Sequence, residues 1–313
     1  MNVTLVCESS SDNIGDQLIG EGAKFLFSNH RHSLCDLSFR DLKETSSNFF
    51  VKLYRRIYYA SQCLKKSTDL VFCGGQLIHG NNYFYKNIFL WWIVAKYYKV
   101  NVSFFSVGCS GSYSLLERVV YSLMLKSSLV VLRDPISKKN FDANFSSHTV
   151  DLGTDMAFAF KKSNLLRVHS SDEVPKNVIV EGAVINPIDK NVVEYYIKKG
   201  ESSYLSLEQY QEALNLIKET NPNYKLVFST YDDGVKSREQ VTLQKVVHQI
   251  KTADKAYCTR MHVAIIAHIL GLQVEILPIS EKLSCSSMYF LKQTPSYHNN
   301  LLKEVYEKYF TRN

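Results

Sequence analysis

Arg260 and His262, separated by a single residue, stand at the head of an apolar run from Val263 to Leu270. Ala256 to Cys258 reads as the end of a short strand, and Gly271 as the residue that stops the following helix. Val263, Ala264, Ile265, Ile266, Ala267, Ile269 and Leu270 leave no polar face, so that helix is expected to be buried. Thr259 is expected as its N-cap, its hydroxyl accepting from a first-turn amide. Open amides and the positive dipole end of a helix attract anions. An Arg adds a planar fork for carboxylate or phosphate, and a His adds a group that moves protons near neutral pH. The plain alternative is a capped buried helix with an ion-paired Arg and a His satisfied by a backbone carbonyl.

Three further groups could share this chemistry. Asn13-Ile14-Gly15-Asp16 follows the apolar run Val3 to Cys7 and opens a helix on which Leu18, Ile19, Ala23, Leu26 and Phe27 recur at helical spacing. Asp16 is then either a simple N-cap or a carboxylate at the carboxyl end of the first strand, where open α/β sheets bind ligands. Arg133-Asp134 follows the strand-like Ser128 to Leu132, with Pro135 and Ser137 opening a short helix. Lys282 lies just past another strand, Val274 to Pro278. Gly74-Gly75, after Thr68 to Cys73, reads as a simple tight turn in preference to a phosphate cradle.

The elements that must position these residues alternate between strand and helix. Strands are expected at Leu34 to Phe39 and Val100 to Val107, and Val150 to Asp155 closes the first half. Helices are expected at Phe50 to Cys63, Asn87 to Tyr98 and along Leu115, Leu116, Val119, Val120 and Leu123. The second half repeats the pattern. Val178 to Ile185 and Lys225 to Ser229 read as strands, the latter leading into Asp232-Asp233-Gly234. Leu207, Tyr210, Leu214 and Ile217 mark one helix, Val241, Val246, Val247 and Ile250 another, and Ser296 to Tyr309 a third. The fold expected is α/β with two Rossmann-like domains, GT-B-like, and an active site in the interdomain cleft. The division expected is 1–160 for the first domain, 161–176 for a polar linker and 177–313 for the second. The C-terminal helix is a candidate to pack back on the first domain. G-x-G-x-x-G is absent, so a dinucleotide site has no support.

Bulk properties narrow the classes. At 313 residues with 45% hydrophobic and 21% charged residues, the chain has the composition of a globular protein with two domains. A net charge of +7 without a long Lys/Arg block suits small anionic substrates or a peripheral membrane contact, and not nucleic acid. The seven cysteines (7, 35, 63, 73, 109, 258 and 285) form no C-x-x-C, which fits a reducing compartment and supplies no zinc or disulfide framework. No signal peptide is expected, and Ile88 to Ala95 is far short of a membrane span. Tyr83-Phe84-Tyr85-Lys86, Trp91-Trp92 and Lys96-Tyr97-Tyr98-Lys99 mix aromatics with Lys, as interfacial helices do and as buried helices with snorkelling ends also do.

In order and spacing the motifs resemble the polysaccharide pyruvyltransferase family. They are Asn13-x-Gly15-Asp16, Cys73-Gly74-Gly75, Leu132-Arg133-Asp134 with Ser137, Arg260-Met261-His262 with Gly271, and Lys282. Cys73 stands where a third glycine is usual, and Gln273 near where a proline is usual. The resemblance implies transfer of the pyruvyl unit of phosphoenolpyruvate onto two hydroxyls of a saccharide, giving a cyclic ketal and phosphate. It implies Arg133, Arg260, His262 and Lys282 for binding the donor, and His262, Arg260 and Asp16 for catalysis. The acceptor would belong to a bacterial-type capsule, exopolysaccharide or cell-wall polymer, free or lipid-linked. That implies a cytoplasmic site, with peripheral contact at the inner face of the membrane as one form of it. The scheme needs no metal or other cofactor, and no ligand cluster stands in the sequence. Two other readings compete: a GT-B glycosyltransferase with a nucleotide-sugar donor, and a saccharide-binding scaffold without turnover. The glycosyltransferase would need a ribose- and base-binding segment that the second half does not display.

Overall fold

Val3 to Cys7 is a run of residues buried on both faces, as a central parallel strand requires, and in the computed structural model it forms the second strand of a six-stranded sheet. The structure describes residues 1–42, 48–80, 84–146, 148–169, 183–186, 206–229, 242–277 and 288–311. By its internal contacts the chain divides into two units: Met1–Ser11 with Ile19–Ala159 and Leu301–Asn313, and Asp12–Leu18 with Phe160–Asn300. The main break falls between Ala159 and Phe160, while two short segments cross the linear division expected from sequence.

The first sheet contains β1 (Asn2–Cys7), β2 (Arg31–Asp36), β3 (Asp69–Cys73), β4 (Asn101–Val107), β5 (Ser128–Leu132) and β6 (Asp151–Leu152). Its order is β2-β1-β3-β4-β5-β6, parallel at every pairing. The chain moves outward from β1 to β2 and then reverses past β1 to β3. Right-handed crossovers therefore place the first helix on one face and the next four on the other. α1 (Ile14–Leu26) contributes Ile19 and Ala23 to a core cluster beneath β1 and β3. α2 (Phe49–Leu64), α3 (Phe84–Tyr97), α4 (Leu115–Leu125) and α5 (Pro135–Phe145) cover the opposite face through Ala60, Leu64, Ile88, Trp91, Met124 and Phe141. Asn48 caps α2 by accepting from the amides of Phe50 and Val51, so this helix starts one residue earlier than its apolar spacing suggests. Trp91 is fully buried and stacks on Phe39 at 5.2 Å between ring centres. It is a core residue, not part of an interfacial stripe.

The second unit has its own parallel sheet. Among the described residues its strands are β7 (Ala183–Asn186), β8 (Lys225–Leu226), β9 (Lys255–Cys258) and β10 (Gln273–Ile276), in the order β10-β9-β7-β8. Here too the order reverses, with β8 on one side of β7 and β9 on the other. Its helices include α6 (Lys162–His169), α7 (Leu207–Thr220), α8 (Leu243–Ile250) and α9 (Met261–Leu270). α6 occupies the first half of the stretch read as a linker. Its Leu165 is fully buried, an anchor that the polar neighbours concealed in the sequence. The last helix, α10 (Pro295–Phe310), places Leu302, Val305, Tyr306 and Phe310 in the cluster with β1 and α1, and Phe310 packs edge-on against Phe27 and Phe105.

Candidate active site

β9 leads directly into the Arg-x-His unit. Its Ala256, Tyr257 and Cys258 are buried, and Leu277 donates its amide to the Cys258 carbonyl at 2.9 Å, which ties the strand end to the segment after β10. Thr259 is buried but is not the cap. Arg260 holds that position, extended at φ −127° and ψ 134°, without a capping bond from its side chain. The helix therefore starts one residue later than expected, with Arg260 still extended and Met261 the first helical residue. Met261 and His262 are the first two helical residues. Everything in α9 except His262 and His268 is buried, and Gly271 closes it in the left-handed region at φ 88°. Arg260 and His262 are half-buried, at the carboxyl end of β9 and beside the place where the strand order reverses. In open α/β sheets that is where ligands bind.

Residues 13–16, remote in sequence, belong to the same unit and meet this helix. The Asn13 side chain accepts from the Gly15 amide at 2.8 Å, and its carbonyl accepts from Asp16 and Gln17. Asn13 is therefore the residue that caps α1, and Asp16 lies in the first turn as a half-buried acid. Its reading as an N-cap is corrected by that geometry. The Ile14 amide donates to the buried Ser229 carbonyl at 2.9 Å, and the Gln17 side chain accepts from the Leu243 amide at 3.4 Å. The start of α1 is thus held within the second unit at two places.

Gly15 explains the tightest feature of the motif. A methyl group placed there would lie 2.1 Å from Nδ1 of His262 and 2.7 Å from its Cγ. The imidazole lies directly against the α1 backbone, in space that only a hydrogen leaves open. Asn13-x-Gly15-Asp16 and Arg260-x-His262 are two halves of one packing arrangement. Gly15→Ala is expected to displace the ring and to destabilise the fold by about 1–3 kcal/mol, the range for overpacking. In a His262→Ala background the same change should cost nothing and favour the helix, since Ala is preferred to Gly there. Urea denaturation of the four proteins measures the coupling. Equal costs in both backgrounds would mean that the ring does not occupy this space.

Arg133 belongs to the first unit, at the carboxyl end of β5. Its Nε donates to Asp134 Oδ2 and its Nη1 to Asp155 Oδ2, both at 3.2 Å, and all three residues are buried. Each carboxylate also caps a helix start. Asp134 Oδ1 accepts from Ser137 N at 2.7 Å, and Asp155 Oδ1 from Ala157 N at 3.0 Å. The guanidinium lies across Gly108, where a methyl group would come within 3.0 Å of Nε. Ser106, left-handed at φ 62° in an irregularity of β4, donates its hydroxyl to the Thr154 carbonyl and holds the segment carrying Asp155 in place. The pairs with Asp134 and Asp155 hold the guanidinium in place.

The Gly74-Gly75 pair serves backbone pairing. Both residues have positive φ, the Gly74 amide donates to Phe105 O, and Gly75 O accepts from Gly108 N at 2.7 Å. Burial pushes the Cys73 and Cys258 thiols far up and Cys109 up to about 12, which favours the neutral thiol at all three. Among the described residues no group of three or more His, Cys, Asp or Glu is arranged to hold a metal ion. Lys282 lies outside the described residues. Asp155, Ser229 and Gln17 were not singled out in the sequence. Only the acid two residues after Gly153 could have signalled any of them.

Comparison with known proteins gives the fold and the family. Among solved structures, UDP-GlcNAc 2-epimerase from Methanocaldococcus jannaschii is 12% identical with a TM-score of 0.55, covering 100% of both chains. A putative UDP-N-acetylglucosamine 2-epimerase from Listeria monocytogenes is 9% identical with a TM-score of 0.54, covering 100% of this chain and 97% of that one. An uncharacterized protein from Klebsiella pneumoniae is 15% identical with a TM-score of 0.51, covering 96% of this chain and 91% of the other. At these identities the likeness establishes the fold alone, an α/β fold of GT-B type. No curated protein matches in sequence. The family model for polysaccharide pyruvyl transferase matches residues 13–274, beginning at the cap of α1 and ending in β10. Because that match takes in the Asn13 motif, the Arg133 cluster and the Arg260 unit, the chain belongs to the polysaccharide pyruvyl transferase family.

Proposed function

We propose that this protein transfers the pyruvyl unit of phosphoenolpyruvate onto two hydroxyls of one saccharide, forming a cyclic ketal and releasing phosphate. The observation that carries the reading is the His262 imidazole held against Gly15 at the start of two helices, with Arg260 two residues before it and Asp16 next to Gly15. Phosphoenolpyruvate presents a carboxylate and a phosphate on a small frame. Arg260, at a helix N-terminus, holds one of them, and Lys282 is assigned the other. His262 delivers a proton to the methylene carbon, and C2 becomes electrophilic. A saccharide hydroxyl attacks C2 and passes its proton to Asp16, which hands it to the phosphate as the C2–O bond breaks, and the second hydroxyl closes the ring as its proton returns to His262. The acceptor is a saccharide of a capsule, exopolysaccharide or cell-wall polymer, free or carried on a lipid.

The direct test is incubation of the protein with phosphoenolpyruvate and candidate saccharides, following phosphate release and the mass of the sugar. A parallel arm offers nucleotide sugars. Consumption of a nucleotide sugar with phosphoenolpyruvate untouched would overturn the assignment in favour of glycosyl transfer. Asp16→Asn separates base from scaffold. Asn13 already caps the helix, so the variant is expected to keep its melting temperature within a few degrees. As a lost general base it should reduce turnover by roughly 10²–10⁴-fold. Turnover close to wild type would leave Asp16 as no more than a favourable charge at a helix start.

A further inference from the structure

The outer side of the α2–α3–α4 layer is not explained by pyruvyl transfer. These helices share one face of the first sheet, and each turns buried residues inward. What they turn outward is unusual. Phe49, Phe50 and Tyr54 of α2 are exposed, Phe50 by 76% of its surface. Leu115, Leu116 and Val119 of α4 are exposed as well, Leu115 by 80%. In a parallel sheet every crossover helix runs against the strands, so the first turns of α2 and α4 lie along the same carboxyl edge. Phe49, Phe50, Leu115 and Leu116 all belong to those ends.

Charge is segregated onto the same layer. Residues 48–66, 84–99 and 114–126 contain ten Lys and Arg and one acid, Glu117. That acid is buried and completes the capping box of α4 with Ser114. The rest of the chain has 27 basic and 29 acidic residues, so the whole net charge of +7 is carried by this layer. Exposed aromatics interleaved with Lys and Arg are the pattern of a surface that rests in a lipid headgroup region.

We propose that the outer face of α2, α3 and α4 docks on a bilayer containing anionic phospholipid. A second copy of the chain is the other candidate for an apolar face. A two-fold interface would set this patch against itself, bringing two strongly positive surfaces together. An anionic bilayer accepts both features at once. Its headgroups neutralise Lys52 and Arg55 in the first turns of α2, and its acyl boundary takes the Phe and Leu side chains. Among the described residues no helix is long and apolar enough to cross a membrane, so the contact is one of lying on the surface.

The test needs neither donor nor acceptor and is independent of the reaction assigned above. The full chain is sedimented with vesicles of phosphatidylcholine containing phosphatidylglycerol, and with phosphatidylcholine alone, at low and high salt. Binding is expected to the anionic vesicles and to weaken with salt. Lys52→Gln with Arg55→Gln should weaken it about thirtyfold, from about a fivefold loss for each charge near the surface. Phe49→Ser with Phe50→Ser should weaken it too, with an unchanged melting temperature because both rings are exposed. The proposal is overturned by absence of wild-type binding to anionic vesicles, or by binding that both double variants leave intact. It is equally overturned by a dimer in analytical ultracentrifugation that the Phe49→Ser, Phe50→Ser protein cannot form, which would assign the face to a second copy.

Discussion

Replacing His262 by Ala is expected to lower turnover by roughly 10²–10⁴-fold while leaving the apparent constant for phosphoenolpyruvate little changed. The physical reason is its place in the structure. The ring lies at the second residue of a buried helix, is half-buried, and is held against the backbone of Gly15. A group fixed in this way loses little orientation freedom on forming the reactive complex, and a misplacement near 1 Å is worth about a hundredfold. Arg260→Ala should show the opposite signature. Loss of a charge-assisted bond to the donor raises its apparent constant by about ten- to a hundredfold, with turnover less affected. Calorimetric donor binding beside steady-state rates on each folded variant distinguishes the two. Gly15→Ala should resemble His262→Ala in rate, since it moves the ring without removing it. If His262→Ala turns over like wild type, the Arg-x-His unit is a helix start and nothing more.

Arg133→Met should act on stability. Removing the guanidinium leaves Asp134 and Asp155 as two buried carboxylates within one cluster, and breaking a buried pair this way costs about 3–5 kcal/mol. Much of that should return when Asp134→Asn and Asp155→Asn are added, because the uncompensated charges go with them. The helix caps survive the exchange, as an Asn oxygen accepts from Ser137 N and Ala157 N as well as a carboxylate does. Thermal and urea unfolding of the single and triple variants measure this. A stable Arg133→Met protein with a raised constant for phosphoenolpyruvate would instead make Arg133 the donor ligand that the family resemblance implies.

Much of the architecture was legible in the sequence for simple reasons. Parallel strands buried on both faces read as unbroken apolar runs, and nearly every one, from Val3–Cys7 to Ala256–Cys258, stands in a sheet. Gly271 ends α9 because the left-handed turn there favours Gly. The Gly74, Arg133 and Arg260 motifs were legible for a similar reason: each closely follows a strand, where chain direction and residue type are both constrained.

What pairs with what was decided only by tertiary structure. Arg133 and Arg260 look alike in the sequence, each following a buried strand. One is enclosed by Asp134 and Asp155, 1 and 22 residues away in sequence, while the other stands at a helix start beside His262. Thr259 looked like a cap and Asp16 looked like one too, yet Arg260 and Asn13 hold those places. Capping depends on where the backbone enters the helical region, and a shift of that entry by one residue moves it. Gly15 carried no local sign that a histidine 247 positions later would need its missing side chain. Local patterns report burial and backbone preference because those act over a few residues. Charge neutralisation and ring packing are contacts between distant segments, and the identity of the partner exists only once the chain has folded.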